Sequence, residues 1–142
     1  VRELKRRVNV PVLIKGILHP EDARLALEAG VDGIIVSNHG GRQLDGVIGS
    51  LDALPSIVEV VDGRVPVLLD GGVYRGIDAV KALALGATAV CIGRPFVYGL
   101  AYAGEHGVYQ VMQNLYSEFK VSIGLAGQRT IAGLRDVTLV RT

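Results

Sequence analysis

The segment VPVLLDG at residues 65–71 repeats VPVLIKG at residues 10–16 almost unchanged. The likeness continues, because DARLALEAGVDGIIVS at 22–37 aligns with DAVKALALGATAVCIG at 78–93. Each copy has an apolar run, a segment of helical period and a second apolar run, which predicts a βαβ unit. Duplication of one such unit explains the repeat; the alternative is that both copies meet the same demands of an αβ turn.

Four apolar runs are predicted to be strands of a parallel sheet that is buried on both faces. They cover residues 11–15, 33–37, 65–70 and 89–93. The helices predicted between and after them cover 21–29, 51–61 with Ser50 as a possible N-cap, 76–85 and about 108–125. The chain is therefore predicted to consist of four successive βα units.

Two architectures fit sequential parallel strands with right-handed crossovers: an open doubly wound sheet and an arc of a TIM (β/α)8 barrel. The duplication favours the barrel. A complete barrel takes about 250 residues, whereas this chain has 142. Its outer strands would be open apolar edges, so we expect a fragment or a chain that pairs with another half.

Composition excludes several classes of protein. The chain is 49% hydrophobic with a formal charge of +1, which favours a globular domain with a small-molecule partner over one that binds nucleic acid or membrane. The N-terminus has no signal-peptide pattern and no initiator Met. The single cysteine, Cys91, lies in an apolar run and predicts a buried thiol in a reducing, cytoplasmic compartment.

The motif SNHGGRQLDG at 37–46 follows the second predicted strand. His39 is a side chain suited to proton transfer near neutral pH, and Arg42 offers a fork that binds a carboxylate. Gly40 and Gly41 leave room for a ligand. The pattern indicates proton removal next to a carboxylate, and the alternative is an ordinary turn with a solvated Arg42.

Lys15 ends a wholly apolar strand, so its ammonium is expected at the mouth of the barrel. There it would stabilise negative charge on a cofactor. The alternative is that it only pairs with Asp70, the equivalent residue of the second repeat.

Two glycine loops follow the third and fourth strands, DGGVYRG at 70–76 and GRP at 93–95. Backbone N–H groups in such loops bind phosphate, and barrels often hold phosphate after their last two strands. Arg94 and Arg75 would add charge. His19 is expected to cap a helix and His106 to lie in a surface loop, and no cluster has metal-ligand spacing.

Together these motifs resemble the FMN-dependent α-hydroxy acid oxidases and dehydrogenases, which include glycolate oxidase, lactate oxidase, lactate 2-monooxygenase, mandelate dehydrogenase and flavocytochrome b2. SNHGGRQLDG, IKG, LDGGVYRG, VKALALGA and IGRP match in order and spacing. The resemblance covers the whole chain but only the C-terminal half of the family's barrel. It implies that residues 1–142 are the C-terminal half of an FMN hydroxy acid dehydrogenase domain. The segments RQLDG, SLDALPSIVEVV and VYGLAYAGEHGV favour the lactate 2-monooxygenase and lactate oxidase branch.

The resemblance also implies roles for the motif residues. His39 would take a proton from a (S)-2-hydroxy acid while two electrons pass to FMN, and Arg42 would clamp the substrate carboxylate. Lys15 and Ser37 would contact the flavin ring. The residues implied for the ribityl chain and the phosphate are Asp70, Gly71, Gly72, Gly93 and Arg94.

One position departs from the family, in which two arginines usually follow DGGV. Here Tyr74 takes the place of the first arginine and Arg75 is the second. The phosphate site therefore has one positive charge fewer, and FMN binding should weaken. Tyr74 keeps a hydroxyl and a backbone N–H. The carboxylate that orients the histidine, the active-site tyrosines and a second substrate arginine belong to the N-terminal half, so the isolated chain is expected to turn over little.

The implied partners are a small 2-hydroxy acid and the N-terminal half of the barrel, with a homo-oligomer when the barrel is complete. Two rival functions share parts of the pattern. Inosine monophosphate dehydrogenase-type barrels have similar phosphate loops but need a nucleophilic cysteine in a flexible loop, whereas Cys91 is predicted to lie in a strand. The other rival is an inactive half-barrel.

Overall fold

The computed structural model of the chain describes residues 1–140. Its strands are β1 (Leu13–Ile17), β2 (Gly33–Val36), β3 (Val67–Leu69) and β4 (Ala89–Val90). Its helices are α1 (Arg2–Arg7), α2 (Pro20–Glu28), α3 (Ser50–Val61), α4 (Gly76–Ala84) and α5 (Arg94–Leu125), with short 3-10 turns at His39–Gly41 and Ala132–Asp136. The predicted alternation of four strands with helices is confirmed.

The four strands form one parallel sheet in the order β1-β2-β3-β4, as the barrel arc requires. The third and fourth strands are shorter than predicted. A single backbone hydrogen bond extends each ladder past its strand, from Asp70 N–H to Val36 and from Cys91 N–H to Leu69. Beyond these bonds the backbone turns into the glycine loops, and their residues leave the sheet.

The main core lies between the sheet and the helices that cover it. Ile34 and Leu69 from the strands and Leu54 and Ile57 from α3 are fully buried. Burying a side chain of this size contributes about 1.5–3 kcal/mol. This core holds the strand ends in fixed positions. Within the described residues, no helix is long and apolar enough to cross a membrane.

The helix starts confirm one sequence prediction and correct another. His19 caps α2, since its Nδ1 accepts a hydrogen bond from Glu21 N–H at 3.2 Å. The N-cap of α3, however, is Gly49 rather than Ser50. Ser50 is buried, and its hydroxyl accepts from Asn38 N–H at 3.0 Å instead of capping its own helix.

Two helical segments were not predicted. Helix α1 is joined to the sheet through Lys5, whose Nζ lies 2.6 Å from Asp32. This ion pair, with Val12 N–H as a second donor, lowers the pKa of Asp32. The other is the stretch of α5 before residue 108, where the sequence predicted no helix. His106 lies in this stretch, so the predicted surface loop at that residue is wrong.

Helix α5 breaks at Ala103 and Gly104, both of which have non-helical backbone angles. The two parts of the helix then pack against each other at Gly99 and Gly107. A Cβ atom on Gly107 would collide with the backbone of Gly99, so this approach requires glycine. The sequence prediction missed the first part because its glycines lower helix propensity, while the tertiary contact that they permit is not visible in the sequence.

We predict that Gly107→Ala destabilises the chain by about 1–3 kcal/mol, because the added methyl group overpacks this contact. Gly124→Ala on the same helix is the control, since a Cβ there meets nothing within 4 Å; it should be neutral or stabilising by up to about 1 kcal/mol. Urea unfolding of both variants measures the difference. Equal effects would show that the helix crossing does not depend on Gly107.

Candidate active site

The carboxyl ends of the four strands and their loops surround an open cleft of about 640 Å³. Its lining includes Lys15, His39, Arg42, Asp70, Cys91 and Arg94. These residues come from all four βα units, although they are far apart in sequence. The location agrees with α/β barrels, which place their chemistry at this end of the sheet.

Lys15 is the centre of a polar network in the cleft. Its Nζ lies 2.9 Å from Asp70 Oδ2 and donates a hydrogen bond to Ser37 Oγ at 2.8 Å. Ser37 is fully buried, while Lys15 is 42% exposed and Asp70 20% exposed. The pairing of Lys15 with Asp70, which the sequence offered as the alternative to a cofactor contact, is therefore present, and it leaves the ammonium open to a ligand.

The second oxygen of Asp70 is a buried acceptor. Oδ1 has no hydrogen-bond partner among the described residues. A buried polar atom without a partner costs about 1–3 kcal/mol. Because Asp70 lines the cleft, a ligand hydroxyl or N–H group at this position would complete its hydrogen bonding.

His39 lies in a turn with a constrained backbone. Its φ is +56°, unusual for a residue with a side chain, and Gly40 and Gly41 also have positive φ. Three hydrogen bonds hold the turn: His39 N–H to Ser37 Oγ at 3.0 Å, Gly40 N–H to Asn38 Oδ1 at 3.1 Å, and Asn38 N–H to Ser50. Backbone strain of this kind clusters at functional sites.

Arg42 ends the same turn and is exposed on the cleft. Within the part of the chain that the structure describes, its guanidinium has no ion pair or hydrogen bond. The fork is thus open to a carboxylate near His39, as the motif predicted. The same exposure fits the alternative of a solvated arginine.

The glycine loops are open where a phosphate would approach. A Cβ on Gly72 or Gly93 would meet nothing within 4 Å, and Gly71 and Gly72 both have positive φ. Arg94 also lines the cleft and donates to the carbonyl of Gly40. This bond ties the loop after β4 to the loop that carries His39.

The structure corrects two expectations about the first glycine loop. Asp78 Oδ2 accepts from Tyr74 N–H at 3.1 Å and from Arg75 N–H at 2.9 Å, so neither amide is free for phosphate. Arg75 pairs with Asp78 at 3.5 Å and is absent from the cleft lining. The cause is local, because Asp78 caps the start of α4.

Cys91 differs from the buried strand residue that the sequence predicted. It follows the last residue of β4, is only partly buried and lines the cleft. Burial raises the pKa of its thiol, the Asp70 carboxylate raises that pKa further, and the Lys15 ammonium partly offsets both effects. The thiol is therefore protonated near neutral pH, which does not suit a nucleophile.

Asn38, Ser50 and Gly16 contribute to the site but were not predicted. Asn38 and Ser50 hold the His39 turn, and a Cβ on Gly16 would lie 2.8 Å from His39 Nε2. The position of Gly16 directly after Lys15 was the available signal. No three His, Cys, Asp or Glu side chains of residues 1–140 form a metal-binding group.

We predict that alkylation of Cys91 by iodoacetamide has a pH midpoint above that of a free cysteine. Asp70→Asn should lower the midpoint, because it removes a negative charge that disfavours the thiolate, and Lys15→Met should raise it. The reaction is unambiguous because the chain has one cysteine. Midpoints that do not move, or that move in the opposite directions, would contradict this electrostatic arrangement.

A sheet of successive parallel βα units with ionisable side chains and glycine loops at the carboxyl ends of its strands is the arrangement of α/β barrel enzymes. Comparison with known proteins gives the family. The family model "FMN-dependent dehydrogenase" matches residues 1–141. The chain is 72% identical over 141 residues to L-lactate oxidase of Lysinibacillus sphaericus and 52% identical over 141 residues to human 2-hydroxyacid oxidase 1. The chain belongs to the FMN-dependent dehydrogenase family.

Solved structures agree with this assignment. Mandelate oxidase superposes with a TM-score of 0.93 at 46% identity, over 96% of this chain and 40% of that one. A variant of mandelate oxidase with a monooxide FMN adduct gives the same score over 44% of its chain. The alignments with L-lactate oxidase and 2-hydroxyacid oxidase 1 cover 99% of this chain but 36% and 38% of those proteins. The predicted half-barrel is thus confirmed, and the chain spans about a third of the length of these two relatives.

Proposed function

We propose that this chain supplies the base, the substrate clamp and several of the FMN contacts of a barrel that oxidises a (S)-2-hydroxy acid to the 2-oxo acid. The observation that carries the proposal is the meeting of Lys15, Ser37 and Asp70 in one network beside His39 and Arg42. The family is FMN-dependent, and its relatives include proteins named for oxidation of lactate and other 2-hydroxy acids.

The residues present fit FMN. Asp70 Oδ1 is a buried acceptor that needs a donor, and a ribityl hydroxyl is such a donor. Lys15 supplies a half-exposed cation for the ring. Ser37 is fully buried and outside the cleft lining, so in place of the predicted contact with the ring its hydroxyl accepts a hydrogen bond from Lys15. The backbone of Gly71, Gly72 and Gly93, together with Arg94, would hold the phosphate; no side chain occupies the space beside Gly72 or Gly93.

When bound, FMN would accept the two electrons and one of the two protons that leave the hydroxy acid. The chain's own residues perform the proton and charge chemistry. His39 takes the other proton, Arg42 fixes the substrate carboxylate so that the reacting carbon faces the base, and the Lys15 ammonium stabilises negative charge. His39 lies in a turn with a positive φ, and its imidazole is exposed at the cleft.

The comparison favours a small substrate of the lactate type, because the sequence of this chain is 72% identical to L-lactate oxidase but 46% identical to mandelate oxidase. We propose that the N-terminal half of the barrel pairs with this chain to complete the sheet. The exposed edge of β1 supports this, since Leu13 is 39% exposed although it lies in a strand. The complete barrel is proposed to form a homo-oligomer.

The rival functions are less well supported. An inosine monophosphate dehydrogenase-type enzyme needs a reactive cysteine, and the pKa of Cys91 is raised. In an inactive half-barrel, the buried Asp70 Oδ1 would have no ligand to donate a hydrogen bond to it, and nothing would offset the cost of burying it without a partner. The experiment that follows separates the oxidase from the inactive half-barrel.

We predict that this chain functions when it replaces the segment it matches in the Lysinibacillus sphaericus L-lactate oxidase. The chimera should show flavin absorbance, and L-lactate should bleach it under anaerobic conditions. His39→Gln should keep the absorbance but slow bleaching by about a hundredfold or more, because a general base contributes about 10²–10⁴.

The matched control is His106→Gln, which changes an exposed histidine on α5 outside the cleft. It should leave the bleaching rate unchanged. A coloured chimera that L-lactate, glycolate and mandelate all fail to bleach would overturn the proposed reaction. Normal bleaching in His39→Gln would overturn the role of the histidine alone.

We predict that Tyr74→Arg strengthens FMN binding in the chimera by about fivefold, on the order of 1 kcal/mol for a part-exposed charge. Tyr74 lines the cleft and is 45% exposed, so an arginine there adds charge near the glycine loops. Tyr102→Arg adds the same charge at a position outside the cleft lining. FMN fluorescence titration compares them, and equal affinities would show that residue 74 does not reach the phosphate.

A further inference from the structure

Gly16 interrupts the pairing of β1 with β2. Lys15 pairs with Ile35 and Ile17 pairs with Val36, so two residues of β2 in succession face three residues of β1. Gly16 is the extra residue, and its φ of +101° is a conformation that favours glycine. This is a β-bulge, a feature that often lies beside active sites and redirects side chains.

The bulge determines which way the neighbouring side chains face. In a regular strand Lys15 and Ile17 would share one face, because side chains alternate with a period of two. Here Ile17 is buried in the main core and Ile14 packs against that core. Lys15 faces the cleft. The extra residue therefore lets the strand end in the core while its lysine remains in the site.

The same glycine lies beneath the imidazole of His39. An ideal Cβ on Gly16 would lie 2.8 Å from His39 Nε2 and 3.5 Å from Cε1. A separation of 2.8 Å is closer than real Cβ atoms approach such a group. The ring thus occupies space that any other residue at position 16 would fill.

The backbone of His39 is fixed separately. Its N–H donates to Ser37 Oγ, which also accepts from Lys15 Nζ. The ring has no hydrogen-bond partner among the described residues. The backbone of Gly16 therefore lies close beside an imidazole that no hydrogen bond among the described residues holds.

We propose that Gly16 is a positioning residue for His39, acting through the absence of a side chain at the bulge. The proposal rests on the proposed role of His39 as the base. Lys15 and His39 are then linked by one backbone feature, since the bulge lets the strand continue into the core after the lysine that faces the cleft, and it leaves room for the imidazole next to that lysine.

The test is Gly16→Ala, with Gly30→Ala as the matched control. Gly30 has a φ of +83°, so alanine there carries similar backbone strain, but its Cβ meets nothing within 4 Å. His39 is exposed, so its ring can rotate away from a new methyl group. We therefore expect both variants to lose similar stability, while the ring of His39 moves only in Gly16→Ala.

Long-range ¹H–¹⁵N spectra of the histidine rings measure this movement in the chain itself. His19 and His106 are internal references, because they lie on other elements. The expected result is a shifted His39 ring in Gly16→Ala, with all three rings unchanged in Gly30→Ala. An unshifted His39 ring in Gly16→Ala, or an equal shift in both variants, overturns the proposal.

If Gly16→Ala does not fold, the double variant Gly16→Ala/His39→Ala decides the question. Removing the imidazole frees the space, so folding of the double variant supports the proposal, and failure of the double variant while Gly30→Ala folds overturns it. In the chimera, Gly16→Ala should lower kcat by about a hundredfold, the order expected for a displaced catalytic group, with KM little changed. The spectra test the positioning even if the chimera shows no oxidation, so the two proposals fail separately.

Discussion

Lys15 Nζ lies 2.9 Å from Asp70 and 2.8 Å from Ser37, so one ammonium group joins the ends of three neighbouring strands. As a part-exposed ion pair it contributes little to the free energy of folding, about 0–1 kcal/mol. Its importance is geometric. It takes one oxygen of Asp70 and leaves the other without a partner, and through Ser37 it holds the backbone of His39. The arrangement of the whole cleft depends on this contact.

Much of this arrangement follows from the sequence. The apolar runs end at Lys15, Ser37 and Asp70, and parallel strands bring their carboxyl ends to one edge of the sheet. The repeat predicted the order of the βα units and identified Asp70 as the residue equivalent to Lys15. His39 and Arg42 lie on the cleft as their motif predicted, because a short turn after a strand cannot carry its residues far from that edge.

The remaining features depend on contacts between distant segments. Ser50 is a residue type that favours the N-cap position, yet its hydroxyl accepts a hydrogen bond from the Asn38 backbone N–H instead. Gly99 and Gly107 lower helix propensity, yet they allow the two parts of α5 on either side of its break to pack closely together. Such effects need the folded partner and cannot be read from local pattern. Arg75 is different, because the Asp78 three residues later was a visible capping signal that draws it away from the cleft.

The ion pair also bears on the history of the repeat. Lys15 and Asp70 occupy equivalent positions in the two copies of the βαβ unit. Immediately after a duplication, both positions would have held the same residue. Two lysines or two aspartates at this separation repel each other, and one would be forced to lose its charge. The present network therefore requires that the two copies diverge at this position, so a perfectly symmetric half-barrel cannot contain this site.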